Sequence, residues 1–239
     1  MMKKALYSLL VLVLMAACGD GITENTMTVS GSVKGLKKGT LYLQHLPDST
    51  LVTIDSLQVN GDGSFSFQTE VESPEIFYLY LNKKDNNDIN DRITFFGEPG
   101  DISIRTSWNT FDTNAKISGS KSHTKWEEYR KNMTAINKRN LQILQEGYNS
   151  ETPLDSLQLD SLQRLGDRNT QRGYLVAINF AMNNKDSYVA PYIAVSEIAN
   201  ANVKYLDSIY NSLTPEVADS KYGQRLKEHI GNIKKSASN

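Results

Sequence analysis

VTIDSLQVNGDGSFSFQTEV (52–71) contains two alternating runs separated by Asn60-Gly61-Asp62-Gly63. Alternation of period two sends successive side chains to opposite faces of a strand. Asn-Gly and Asp-Gly accept the positive φ of a tight reversal, so the stretch predicts a hairpin turning at 60–63. The same pattern extends both ways. Upstream lie MTVSGSV (27–33) and TLYLQHL (40–46), with Leu41, Leu43 and His45 on one face. Downstream lies EIFYLYLN (75–82). DRITFFG (91–97) and DISIRTS (101–107) then flank the turn Glu98-Pro99-Gly100, and AKISGS (115–120) closes the series. Seven or eight short strands at this spacing predict an antiparallel β-sandwich or open barrel over residues 27–120.

Beyond Ser120 the period changes. Apolar residues at Trp126, Tyr129, Met133, Ile136, Leu141, Leu144 and Tyr148 recur at helical steps and predict an amphipathic helix over 122–148. A second helical run covers 154–182. Gly166 and Gly173 mark points where it could break or kink, since each costs about 1 kcal/mol relative to alanine. YVAPYIAVSEIAN (188–200) is apolar nearly all round and predicts a buried helix with Pro191 in its first turn. NVKYLDSIYNSL (202–213) follows. Thr214-Pro215-Glu216 reads as an N-cap with proline next, and SKYGQRLKEHIGNIKK (220–235) as a charged final helix. The fold class is therefore α+β: a β-rich lobe followed by an α-helical lobe over 121–236.

The start of the chain encodes an address. Lys3 and Lys4 precede an apolar run, Ala5 to Ala17, and the chain's single cysteine, Cys18, comes next. This is the layout of a secretory signal peptide, and the run is shorter than the roughly 20 residues that span a bilayer. Met15-Ala16-Ala17-Cys18 resembles the lipobox of bacterial lipoproteins, with methionine where leucine is usual. The resemblance implies transfer of a diacylglyceryl group, with palmitate-type chains, to the Cys18 thiol, cleavage between Ala17 and Cys18 that leaves Cys18 as the acylated first residue, and a lipid anchor in the cell envelope. Two or more such chains hold a protein firmly to a membrane. The outer membrane is the implied host, with periplasmic and surface display both open. Residues 1–17 are then the signal peptide and 18–26 a polar, lipidated tether. Removing Lys3 and Lys4 takes the formal charge from −1 to −3, a balance that provides no basic field for nucleic acid.

ISGSKSHTKWEEYRKNM (117–133), FFGEPGDISI (95–104), YVAPYIAVSEI (188–198) and LDSIYNSLTPEVADSKYGQRLKEHI (206–230) together resemble the N-terminal half of Bacteroidetes thiol–disulfide oxidoreductase lipoproteins. In that family a β-rich domain of unknown function and a helical region precede a thioredoxin-like domain. The family's redox motif needs two cysteines, one to attack and one to resolve the mixed disulfide. This chain has only Cys18, so the resemblance carries no redox activity onto its residues. It leaves three readings open. One is a non-catalytic envelope module that binds a protein partner, such as a separately encoded thioredoxin-like protein. Another is a truncated interchange protein whose thioredoxin domain is lost or encoded elsewhere. The third is a surface carbohydrate-binding lipoprotein.

Other chemistry leaves little trace. His45, His123 and His229 show no ligand-like spacing, and G-x-S-x-G, H-E-x-x-H and phosphate-cradling glycine loops are missing from the sequence. No catalytic residue, metal site or cofactor is assigned. DNNDIND (85–91) offers Asp85, Asn87, Asp88 and Asp91 as oxygen donors but misses the calcium-loop spacing, and it reads as a solvated loop. Trp126, Tyr129, Tyr188 and Tyr192 read as core. Trp108, in the polar stretch TSWNTFD, is the candidate partner-contact residue. Asp48-Ser49-Thr50, Asp55-Ser56-Leu57, Asp155-Ser156-Leu157, Asp160-Ser161-Leu162 and Asp207-Ser208-Ile209 resemble the O-glycosylation signal of exported Bacteroidetes proteins. That resemblance makes Ser49, Ser56, Ser156, Ser161 and Ser208 candidate acceptors.

Overall fold

A computed structural model describes residues 23–83, 91–148 and 153–237. The signal segment, Ala17, Cys18, the first part of the tether and the donors Asp85, Asn87 and Asp88 lie outside these residues. Two open four-stranded sheets face one another. The first runs β4 (Ser64–Glu70), β1 (Thr26–Lys34), β7 (Gly100–Ser107), β8 (Lys116–Ser118). The second runs β3 (Val52–Asn60), β2 (Lys38–His45), β5 (Glu75–Asn82), β6 (Arg92–Gly97). Alternate residues of each strand point inward. Val29, Phe67, Ile102 and Ile104 of the first sheet close on Leu41, Leu43, Leu79 and Phe95 of the second.

The expected hairpin at 60–63 does not form, because β3 and β4 belong to different sheets. The reversal lies at 46–51, where β2 and β3 pair antiparallel from His45↔Val52 to Lys38↔Asn60. Further out, β1 pairs with β4 from Ser32↔Ser64 to Thr26↔Glu70. Residues 26–70 are thus one long two-stranded ribbon, bent at its middle so that both strands cross between sheets. Gly35, Gly61 and Gly63, at φ 82°, 135° and 79°, supply the bend. The Val33 N–H donates to Gly63 O at 2.9 Å and the Gly61 N–H to Lys37 O at 3.2 Å, stitching the two corners together. The glycines did signal positive φ, but a corner and a reversal require it equally.

The ladders are also not all antiparallel: β1 and β7 run parallel from Met27↔Gly100 to Lys34↔Ser107. The cause is the turn Glu98-Pro99-Gly100, which passes from the second sheet to the first instead of closing a hairpin.

Helix α1 (Lys121–Tyr148) leaves the sandwich and pairs with α2 (Ser156–Asn183). The latter continues unbroken through both glycines, starting from a capping box in which the Asp155 carboxylate accepts the Gln158 N–H. At Gly173 a Cβ would sit 3.3 Å from Ile136 Cγ2, so this glycine allows the two helices to close. Helix α3 (Val189–Ser196) is buried as expected, with Pro191 in its first turn. Helices α4 (Val203–Ser212), α5 (Pro215–Ala218) and α6 (Lys221–Ser236) complete the lobe. Ile193, Leu206, Ile209 and Leu226 form its core together with Ile76 and Phe96 of the second sheet. That sheet is therefore covered on both faces at its β5–β6 end.

Helix α1 spans about 42 Å at 1.5 Å per residue, and among the described residues it packs most extensively on α2. Leu141, Leu144 and Tyr148, expected on the apolar face of an amphipathic helix, are 56%, 60% and 89% exposed, and Leu157 of α2 is 79% exposed. No helix among the described residues is long and apolar enough to cross a membrane.

Candidate functional site

A cleft of about 1120 Å³ opens where α1 diverges from the sandwich. Its floor is the side of the sandwich on which both sheets end. Arg92, Ile93 and Thr94 come from β6, the outer strand of the second sheet, while Ala115 and Ile117 belong to the β8 edge of the first. The facing wall is α1. Trp126, Tyr129, Met133 and Leu141 line it at helical spacing, with Arg130, Lys131 and Lys138 beside them. Asp112, Glu127 and Glu197 contribute carboxylates.

The start of α1 is fastened to this edge. The Glu98 carboxylate accepts the Lys121 N–H, the Ser122 N–H at 3.3 Å and the Ser122 hydroxyl at 2.5 Å. An anion at a helix N-terminus satisfies orphan N–H groups and the helix dipole together. Ser120 Oγ accepts the His123 N–H at 2.8 Å. One turn on, buried His123 accepts the Phe96 N–H at Nδ1, 3.3 Å away. Burial pushes its pKa down, with Arg130 adding to the effect against the pull of Glu127 and Glu98.

Two of the lining arginines lie over aromatic rings. The Arg130 guanidinium lies 4.9 Å from the Trp126 ring, and Arg92 lies 5.6 Å from both Tyr78 and Tyr80. Trp126 meets Phe96 edge-on at 6.1 Å. At the back, the Tyr129 hydroxyl is buried without a hydrogen-bond partner among the described residues. Burial raises its pKa far above the ordinary phenol range, and raises that of Tyr192 to about 12. Both phenols stay protonated at neutral pH. The cleft therefore offers donors, cations over rings and apolar walls, which is the chemistry of recognition.

The sequence-derived candidates are scattered. Trp108 opens a 3₁₀ turn (Trp108–Thr110) at the sheet corner, 49% exposed, with Lys83 Nζ 6.0 Å from its ring. It packs over Gly35, where a Cβ would come within 2.7 Å of Trp108 Cδ1. Trp108 thus stands apart from the cleft. Trp126 and Tyr129 are buried as expected, whereas Tyr188 and Tyr192 are half-buried. Ser49, Ser56, Ser156, Ser161 and Ser208 are all exposed, on the β2–β3 reversal, β3, α2 and α4. The Ser208 hydroxyl donates to Lys204 O at 2.8 Å. Asp91, read as part of a solvated loop, is buried and ion-paired with Lys83. No group of three or more metal-ligating side chains occurs among the described residues.

Sequence reasoning missed Arg92, Thr94, Arg130 and Leu141 as site residues. Each looks ordinary in its own segment, and only the divergence of α1 from the sheet edge brings them together.

Residues 27–126 match a domain of unknown function (DUF4369). The match begins with β1 and ends at Trp126, so it includes the Glu98 cap and His123. Neither the curated proteins nor the solved structures contain a match to this chain.

Proposed function

We propose that this protein is a lipid-anchored module of the bacterial cell envelope that binds a protein partner through the cleft between its lobes and catalyses nothing itself. Cys18 is the only cysteine in the sequence and follows a charged, apolar and small-residue series. Acylation there uses up the one thiol, which leaves the folded part no dithiol chemistry. The observation that carries the binding role is the cleft, walled by Trp126, Met133 and Leu141 and rimmed by Arg92, Arg130 and Lys131. Large pockets with apolar walls and a few convergent polar groups are the usual setting for binding. The partner we favour is an envelope protein, with a separately encoded thioredoxin-like protein as the first to try.

The test has two arms. Cys18→Ser is expected to move the protein from membrane to soluble fractions; retention on carbonate-washed membranes would overturn the anchor. A photo-cross-linking residue placed at Lys131, on the α1 wall, is expected to give one discrete adduct in intact cells. A control at Lys227, exposed on α6, is expected to give none, and equal yields at the two sites would overturn the cleft.

Trp108 supports a second reading, as a carbohydrate-stacking surface, because its ring is half exposed on a separate corner. Glycan binding that Trp108→Ala abolishes would favour it over the cleft.

A further inference from the structure

Strand β6 is the outer strand of the second sheet and, among the described residues, is paired on one side only, with β5. Which of its backbone groups face outward follows from two bonds. The Phe96 N–H donates away from β5 to His123 Nδ1, and the N–H of its cross-strand partner Ile76 donates away from β6 to the Tyr222 hydroxyl. The Phe96–Ile76 pair is therefore of the non-hydrogen-bonded kind. In an antiparallel ladder the two kinds alternate, so Thr94–Tyr78 and Arg92–Tyr80 are of the same kind. The N–H and C=O of Thr94 and Arg92 thus point out of the sheet, into the cleft. At Phe96 the helix closes this edge with His123. At Thr94 and Arg92, where α1 has diverged, no described residue takes the outward groups.

We propose that the cleft holds a single extended peptide segment of a partner protein, added as a fifth strand beside β6. This rests on the cleft being the binding site and specifies how it binds. Helix α1 forms the opposite wall, so the cleft of about 1120 Å³ suits a lone strand, at the usual spacing of about 4.8 Å from β6, better than a whole sheet or a second copy. An added strand presents alternate side chains to the two walls. One set meets Ile93, Ala115 and Ile117; the other meets Trp126, Met133 and Leu141. Both walls are apolar, so the segment carries β-branched apolar residues. Arg92, Arg130, Lys131 and Lys138 form no ion pair among the described residues and outnumber the three carboxylates of the lining, so acidic flanks complement the rim.

The test uses the full chain in mild detergent and a fluorescein-labelled nonapeptide, alternating valine and threonine with glutamate at each end. Proline replaces each threonine in the control peptide, which therefore cannot pair as a strand. Saturable binding with Kd of about 10–100 µM is expected, weakened roughly tenfold or more in the control, together with slowed exchange of the Arg92 and Thr94 amides. Thr94→Pro removes an outward N–H that β5 does not use, and is expected to weaken binding roughly tenfold. Leu141→Asp alters an exposed wall position without touching the ladder and is expected to weaken binding as well, which covers the case of a misfolded proline variant. Equal binding of both peptides, equal binding by the wild type and Leu141→Asp, or no saturation at about 1 mM would overturn the proposal. If the Lys131 adduct still forms while these pairing tests fail, the cleft stands as the site and only the strand mode falls.

Discussion

His123 accepts the Phe96 N–H at Nδ1, so its own proton rests on Nε2, which faces Glu127 Oε1 at 3.6 Å. Charging this ring would cost the acceptor as well as the burial. Its folded pKa lies below the ordinary imidazole value of about 6.5, chiefly through burial. The sign follows. As pH falls through the unfolded value, the unfolded chain takes up a proton that the folded chain refuses. The stabilisation is complete above about pH 6.5 and is lost progressively below it, towards the folded value. The thermal midpoint is expected to drop between pH 7 and 5. His123→Gln keeps an acceptor for Phe96 but cannot titrate, so its drop should be shallower. Superimposable pH profiles would clear His123 of this role.

At the scale of elements, three substitutions separate propensity from packing. Gly166 lies inside α2 with nothing within 4 Å of where a Cβ would sit, so Gly166→Ala is expected to stabilise by about 1 kcal/mol in urea titration. In central strand β1, a Cβ at Gly31 would lie 1.7 Å from Ile104 O of β7. Gly31→Ala is therefore expected to prevent the sheet from forming, read as loss of soluble, cooperatively folding protein. Glu98→Ala uncaps α1 and is expected to cost about 1–2 kcal/mol, with the loss reported by helical circular dichroism. The same elements show what the sequence disclosed. Strand β5 was legible because EIFYLYLN is aromatic and uninterrupted, and α3 because its apolar residues surround Pro191 at an allowed position. The continuity of α2 was not legible, since the cost of a glycine says nothing of the neighbour it lets in, here Ile136. The reversal was misplaced because the corner at 60–63 has stronger local turn chemistry than Pro47-Asp48-Ser49-Thr50, where the chain does turn back.

At the scale of the whole molecule, the described residues form two hydrophobic cores that share one sheet. Phe77, Leu79 and Phe95 point into the sandwich, while Ile76 and Phe96, next to them in sequence, point into the helices. The period-two pattern reports such a strand as buried on both sides, but it cannot name what covers the second face, so neither the lobe contact nor the cleft was legible. The junction is also polar. Lys221 pairs with Glu75 and donates to Leu46 O at 3.0 Å, and Arg225 donates to Pro47 O at 2.5 Å, so α6 grips the tip of the bent ribbon. Lobes joined through a common sheet and these bonds should unfold together. Each tryptophan reports one side: Trp108 the sandwich corner, and Trp126 the helix packed on Phe96. In Trp126→Phe the fluorescence of Trp108 follows the β-lobe, while far-UV circular dichroism follows mainly the helices. In Trp108→Phe the fluorescence follows the junction. Coincident denaturant midpoints for both probes are expected in both variants, even if Trp126→Phe lowers them together. A helical transition preceding the Trp108 transition in both variants would mean that the sandwich stands alone and the shared sheet does not couple the lobes.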